Sequence, residues 1–289
     1  MKLPSAVRTL AVMLAHGLAL AGAARAADLK PGTVAAFDKY VAATEVRINA
    51  EIQAGTPFLY VDALPPQAMN NSYQQLHRGE ILVQRLKTRL PDAKFDVPDG
   101  LLHHWVGLVF IPGATLATAL PILRDYEHRV EYFKPDVIAC RIMQRDGEDY
   151  KLFVQVYQKQ FTTVVYNTEY DVHWRQLDPA RAYSRSVSTR IAEAKDADHP
   201  DGAEIPVDHG HGYLWRINTY FRFLEQDGGL YIQCEAVSLS RDLPTGLGWL
   251  LRPLVTIVPK HGLTRMLGQT RTVVQQQIKI RAGQTKPAS

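Results

Sequence analysis

Two alternating runs on either side of one Asp-Gly pair constrain this chain more than any other stretch. Tyr213-Leu-Trp-Arg-Ile-Asn-Thr-Tyr-Phe-Arg-Phe leads into Gln226-Asp-Gly-Gly229, and Leu230-Tyr-Ile-Gln-Cys-Glu-Ala-Val-Ser-Leu-Ser-Arg leads away. Asp-Gly supplies the positive φ angles of a tight primed turn, so the pattern predicts a β-hairpin. A two-residue loop at Asp227-Gly228 sets Phe223 opposite Ile232, Phe221 opposite Cys234, Thr219 opposite Ala236 and Trp215 opposite Ser240. That face is aromatic on one strand and small on the other. The reverse face carries Arg216, Asn218, Tyr220 and Arg222 against Leu239, Val237, Glu235 and Gln233, within reach of cross-strand ion pairs. A sheet with one greasy face needs a cover, and the apolar segment that follows Asp242 supplies it.

The first 26 residues stand apart. Lys2 and Arg8 precede an apolar run from Leu10 to Ala23, and Ala24-Arg25-Ala26 has the small-x-small form of a signal-peptidase site. The run is shorter than the roughly 20 residues a spanning helix requires, so we read a cleaved export signal cut after Ala26 and a mature protein in the periplasm or outside the cell. Cleavage removes three of the 33 basic residues and none of the 29 acids, so the formal charge falls from +4 to +1. A nucleic-acid binder wants a concentrated basic face, which this balance does not offer. Cys140 and Cys234 each fall in a predicted strand; two buried thiols or one disulfide both fit the sequence.

Between signal and hairpin, Val34, Phe37, Val41, Ile48 and Ile52 recur at helical spacing, which predicts an amphipathic helix from about Pro31 to Ala54. Asn70-Asn-Ser72 reads as a turn, and Gly79 to Leu90 fits strand or helix. Proline and glycine at 98 to 100 mark a boundary, giving an extension over 27–98 and a main domain over 99–282, with a frayed tail at 283–289. Within the main domain we expect a strand at Leu101 to Phe110 and a helix at Ala114 to Arg124. Further strands follow at Val137 to Gln144, Tyr150 to Gln160, Phe161 to Gln176 and Ala182 to Ala194. After the hairpin, Pro253 and Pro259 are expected to interrupt a short apolar helix, and Met266, Leu267, Thr270, Val274 and Ile278 line a terminal helix from Leu263 to about Arg281.

This order resembles the helix-grip fold of the START superfamily, which includes lipid-transfer domains and aromatic polyketide cyclases, and looks most like an exported bacterial branch. The resemblance covers about Leu101 to Arg281. It rests on His104-Trp-Val-Gly107, Thr189-Arg-Ile-Ala-Glu193, Gly212-Tyr-Leu-Trp-Arg-Ile-Asn-Thr-Tyr-Phe-Arg-Phe223, and Cys234-Glu-Ala-Val-Ser-Leu-Ser-Arg-Asp-Leu-Pro244 running into Gly246-Leu-Gly-Trp249. It implies an α+β fold: a curved antiparallel sheet gripping a long C-terminal helix, here with an N-terminal helical extension. It also implies an apolar cavity between sheet and helix for a lipid, sterol or hopanoid-like molecule. Trp215, Phe221, Phe223, Tyr166 and Tyr170 are its candidate lining, and Leu250, Leu254 and Met266 belong to the segment that closes it.

The remaining motifs carry less chemistry. Asp208-His-Gly-His211 brings two imidazoles and a carboxylate together without the further ligands of a zinc site, so we expect a solvated loop and no metal or cofactor. His103 and His104 point to opposite faces of one strand, and a rim or surface position is expected for them. No Gly-x-Ser-x-Gly elbow or glycine-rich phosphate loop is present. Basic residues at Lys260, Arg265, Arg271, Lys279 and Arg281 fit a solvated helix face or a transient contact with an anionic membrane surface. The reading is a non-catalytic carrier of a hydrophobic small molecule. The alternatives are a cyclase-like enzyme acting on such a molecule and a structural partner in the envelope.

Overall fold

A computed structural model describes residues 28–88, 95–159, 163–242 and 248–284, with side chains omitted at 248–258 and 282–284. The signal segment therefore lies outside the described residues, as does Phe161. Chain order is α1 (Pro31–Ala54), a 3-10 turn (Tyr60–Ala63), α2 (Pro66–His77), β1 (Leu82–Arg85), β2 (Gly100–Pro112), α3 (Leu116–Leu123), α4 (Arg129–Phe133), β3 (Val137–Asp146), β4 (Asp149–Lys159), β5 (Thr163–Asp178), β6 (Arg181–Glu193), β7 (Arg216–Gln226), β8 (Gly229–Arg241) and α5 (Gly248–Gln284).

Asp227 and Gly228 take φ values of 55° and 70°, the primed turn that Asp-Gly favours. The turn fixes the pairing of β7 and β8, with Phe223 opposite Ile232, Phe221 opposite Cys234 and Thr219 opposite Ala236. Around this hairpin the strands form one antiparallel sheet in the order β1-β2-β8-β7-β6-β5-β4-β3. The result is an α+β helix-grip fold: a curved sheet, a C-terminal helix along its inner face, and an N-terminal helical region.

Period-two alternation sends alternate residues to opposite faces. On the inner face, α5 makes a close approach at Gly107, where a Cβ would sit 2.6 Å from Leu267 Cδ1 and 3.0 Å from Leu263. A glycine is required here because any side chain would occupy the helix's place. Leu263, Leu267, Val273 and Val274 then bury against Val109, Ile111, Ile232 and Cys234 in one apolar cluster.

The outer face is covered by α1, which begins on Pro31, ends on Gly55 at φ 76°, and buries Phe37, Tyr40, Val41, Thr44, Ile48 and Ile52. The layer between helix and sheet is polar. Thr88 N–H donates to Tyr40 Oη at 2.6 Å, Tyr40 O–H donates to His104 Nδ1 at 2.8 Å, and His104 Nε2 donates to Glu235 Oε1 at 2.7 Å. Arg47 also donates to Glu235, Arg222 donates to Glu51 at 2.5 Å and to the Phe58 carbonyl at 2.7 Å, and Tyr220 and Arg185 both donate to Glu45 at 2.8 Å. Burial pushes the Glu235 carboxyl pKa up, but the His104 hydrogen bond and the charges of Arg47 and Arg222 outweigh it and hold the group below its ordinary value.

Several expectations are corrected. The outer-face charges do not form a cross-strand ladder; Glu235 and Arg222 bond to Arg47 and Glu51 of α1, because the covering helix brings counter-charges directly over them. His103 and His104 are neither rim nor surface, since both are buried, at 8% and 2% exposure. The Asn70-Asn-Ser72 turn is helix within α2, where Ser72 Oγ satisfies itself by donating to the Ala68 carbonyl at 2.8 Å. The C-terminal segment is one helix through Pro253 and Pro259, since a proline removes one N–H and crowds one turn without having to end a helix.

Candidate binding hollow

Burial differs between the two faces of the β7–β8 hairpin. On the outer face Tyr220, Arg222, Glu235 and Val237 are 0 to 2% exposed. On the inner face Ser186 of β6, Thr219 and Phe221 of β7, and Ala236 and Ser238 of β8 all keep accessible surface. They are neighbours by register, since Ser186 pairs with Thr219 and Thr219 with Ala236. Tyr170, one strand further along, behaves the same way: burial raises its hydroxyl pKa although part of the side chain is accessible. Among the described residues, the inner side of β7 and β8 therefore keeps accessible surface where their outer side at Tyr220, Arg222, Glu235 and Val237 keeps almost none.

The hollow changes character along its length. Toward the β7–β8 turn it is dry and aromatic, with Phe223 stacked on Trp174 at 5.5 Å between ring centroids and on Phe221 at 6.0 Å. Toward the start of β7 it becomes polar. Ser184, Ser186 and Ser188 share the inner face of β6; Ser238 and Ser240 share that of β8; and His103 Nε2 lies 2.9 Å from Ser240 Oγ. Burial, and then the charge of Arg85, push the His103 pKa down to about 4, so the imidazole is neutral near pH 7. At the far end Glu193 is buried and accepts from the His211 backbone N–H at 3.0 Å and from its ring at 2.5 Å.

Of the residues expected to line a cavity, Tyr170, Phe221, Phe223 and Met266 come together in one apolar cluster. Tyr166 sits in an adjoining cluster with Val164 and Ile191. The side chains of Leu250 and Leu254 lie outside the described residues. Trp215 is on the other side of the sheet, packed with Phe37, Tyr40, Tyr220 and Leu239. It precedes β7, after Gly212 at φ 72°, so the alternation that sorts the strand's faces does not extend back to it. Sequence reasoning passed over Ser184, Ser186 and Ser188, although their i, i+2 spacing in Tyr183-Ser-Arg-Ser-Val-Ser188 places them on one face. The Asp208-His-Gly-His211 loop is dispersed into ion pairs: Asp208 with Arg216, His209 with Asp28 and His211 with Glu193.

A separate cleft of about 470 Å³ lies on the outer side, lined by Phe58, Asp62, Tyr73, Arg181 and Asp227 among others. Its carboxylate Asp62 is already occupied by the backbone N–H groups of Phe58 and Leu59 and by the Tyr73 hydroxyl. We therefore place the candidate site on the inner face.

Fold and hollow together define a helix-grip domain with an internal lipophilic surface. No family model and no curated protein matches the sequence. Among solved structures the chain is similar to human STARD10 (9% identity, 76% of this chain and 84% of that one, TM-score 0.47). It is also similar to the STAR-related lipid transfer protein of Xanthomonas axonopodis (12% identity, 63% and 98% covered, TM-score 0.36) and to the Zhui aromatase/cyclase of a Streptomyces species (12%, 62% and 96%, TM-score 0.39). Likeness at this level concerns fold alone.

Proposed function

We propose that this protein binds or carries a hydrophobic small molecule of lipid, sterol or hopanoid type, held between the inner face of the sheet and α5. The observation that carries the reading is the band of accessible side chains at Ser186, Thr219, Phe221, Ala236 and Ser238 on the inner face of the central strands. Apolar burial there supplies roughly 25 cal/mol per Å² as driving force, and a pocket with few polar groups orients the guest. A cleaved export signal at residues 1–26 would put the carrier in the periplasm or outside the cell, and exchange at an anionic membrane would use basic residues of α5 such as Lys260 and Lys279. An enzymatic role finds less support. A general base works best with a pKa near the operating pH, whereas His103, one imidazole on the inner face, is pushed down to about 4.

The test is native mass spectrometry of the mature protein taken from its own periplasm without detergent, followed by organic extraction. A stoichiometric lipophilic mass is the expected result, with the polypeptide beginning at Ala27. A protein that leaves empty and takes up nothing from a broad lipid extract would overturn the carrier reading.

A further inference from the structure

The outer cleft of about 470 Å³ is within the size range of small-molecule sites, and three segments wall it. Met69 and Tyr73 stand one turn apart on α2, Phe58 and Asp62 come from the 3-10 turn and its approach, and Leu224 and Asp227 come from the end of β7 and the turn after it. Phe58, Met69 and Leu224 give the cleft apolar walls, while Asp62 and Asp227 give it charge. We infer that it is a second ligand site, separate from the hollow, and that it takes a small organic cation whose ammonium group meets the two aspartates and whose hydrocarbon body lies on the apolar walls.

Neither carboxylate is neutralised by a lysine or arginine among the described residues. Asp62 accepts from the Phe58 and Leu59 N–H groups and from the Tyr73 hydroxyl, all neutral donors, which leaves about one of a carboxylate's four acceptor positions open. Asp227 accepts the Tyr231 hydroxyl on Oδ2 at 2.7 Å, and His77 Nε2 stands 3.8 Å from the same oxygen, while Oδ1 receives no donor among the described residues. Arg181, the basic side chain in the wall, is already matched by Asp178 at 2.7 Å and by the Gly55 carbonyl at 3.1 Å. Helix α1 ends at the same cleft, and its last turn carries no basic residue, so the negative end of the helix dipole adds to the field. The tyrosines report that field: burial first, and then Asp62 and Asp227, push the hydroxyl pKa values of Tyr73 and Tyr231 up. Among the described residues no three metal-ligating side chains come together, so the cleft suits an organic cation better than a metal ion.

The test is an NMR titration of the purified protein at neutral pH with benzylamine, benzyl alcohol and benzoate, which share a shape and differ in charge. Benzylamine should bind at least tenfold more tightly than benzyl alcohol, and benzoate more weakly than either. Asp227→Asn keeps the turn, since asparagine before glycine also favours positive φ, and keeps an acceptor for Tyr231 while removing the charge. It should bring benzylamine to within about threefold of benzyl alcohol. Met69→Trp fills the cleft and leaves both carboxylates in place, and it should weaken benzylamine at least tenfold. Ala236→Phe, on the other side of the sheet, should leave benzylamine binding unchanged. Equal binding of amine and alcohol overturns the inference, as does a preference for the amine that survives Asp227→Asn or Met69→Trp. Loss of benzylamine binding in Ala236→Phe also overturns it, by assigning the cation to the hollow. The carrier reading stands or falls separately, on uptake from the lipid extract.

Discussion

At the scale of single residues, two positions decide how the layers meet. Gly107 lets α5 reach the sheet, and replacing it with valine drives a side chain into Leu263 and Leu267. Overpacking of this kind costs about 1–3 kcal/mol, so Gly107→Val should lower the melting temperature by about 2–4 °C for each kcal/mol lost, measured by calorimetry. Glu235 decides the other interface. Its folded pKa is depressed below the ordinary 4.5, so its contribution to stability is complete above that value and is lost as pH falls through the lower folded value. Urea denaturation from about pH 5 down to pH 3 should show stability falling in the wild type. The same series should fall less steeply in Glu235→Gln, which is also less stable by about 1–3 kcal/mol near pH 7 because Arg47 and His104 lose their buried partner. Parallel pH curves for the two proteins would remove Glu235 from the acid limb.

At the scale of elements, α1 is held by fixed charges as much as by apolar packing. Arg222, 2% exposed, bonds to both Glu51 and the Phe58 carbonyl. Arg222→Met keeps most of the volume but strands the Phe58 carbonyl and leaves Glu51 with Arg47 alone, and we expect a loss of about 2–4 kcal/mol with faster hydrogen exchange over residues 37–52 than in the sheet. Uniform protection across α1 and β7 in the variant would count against a charge-held helix. These elements were unevenly legible in sequence. The bounds of α1 could be read from Pro31, Gly55 and the spacing of Phe37, Val41, Ile48 and Ile52, because local signals and burial agree there. The β7–β8 register followed from Asp227-Gly228 alone. What could not be read was long-range: that His104 and Glu235 would meet Tyr40 and Arg47, residues separated from them by 64 and 188 positions. Trp215 was misassigned because alternation was extended past the strand's first residue, and the serines of β6 were passed over because small polar residues give weak signals of burial.

At the scale of the whole molecule, the inner face of the central strands keeps accessible surface that the outer face of β7 and β8 lacks, and on the reading proposed above that surface sets the capacity for a guest. Ala236→Phe should fill part of the hollow, leave the circular dichroism spectrum unchanged, and weaken uptake of an apolar probe at least tenfold; undiminished uptake would move the site elsewhere. The ion-bonded layer under α1 bears on the same question from behind. A sheet clamped along its back cannot flatten to consume the space in front of it, so that space does not have to be propped open by its contents. Inner-face and outer-face positions are interleaved residue by residue in Tyr183-Ser-Arg-Ser-Val-Ser188. On the carrier reading proposed above, exchanging the serines alters the choice of guest while leaving the ion-bonded layer under α1 untouched.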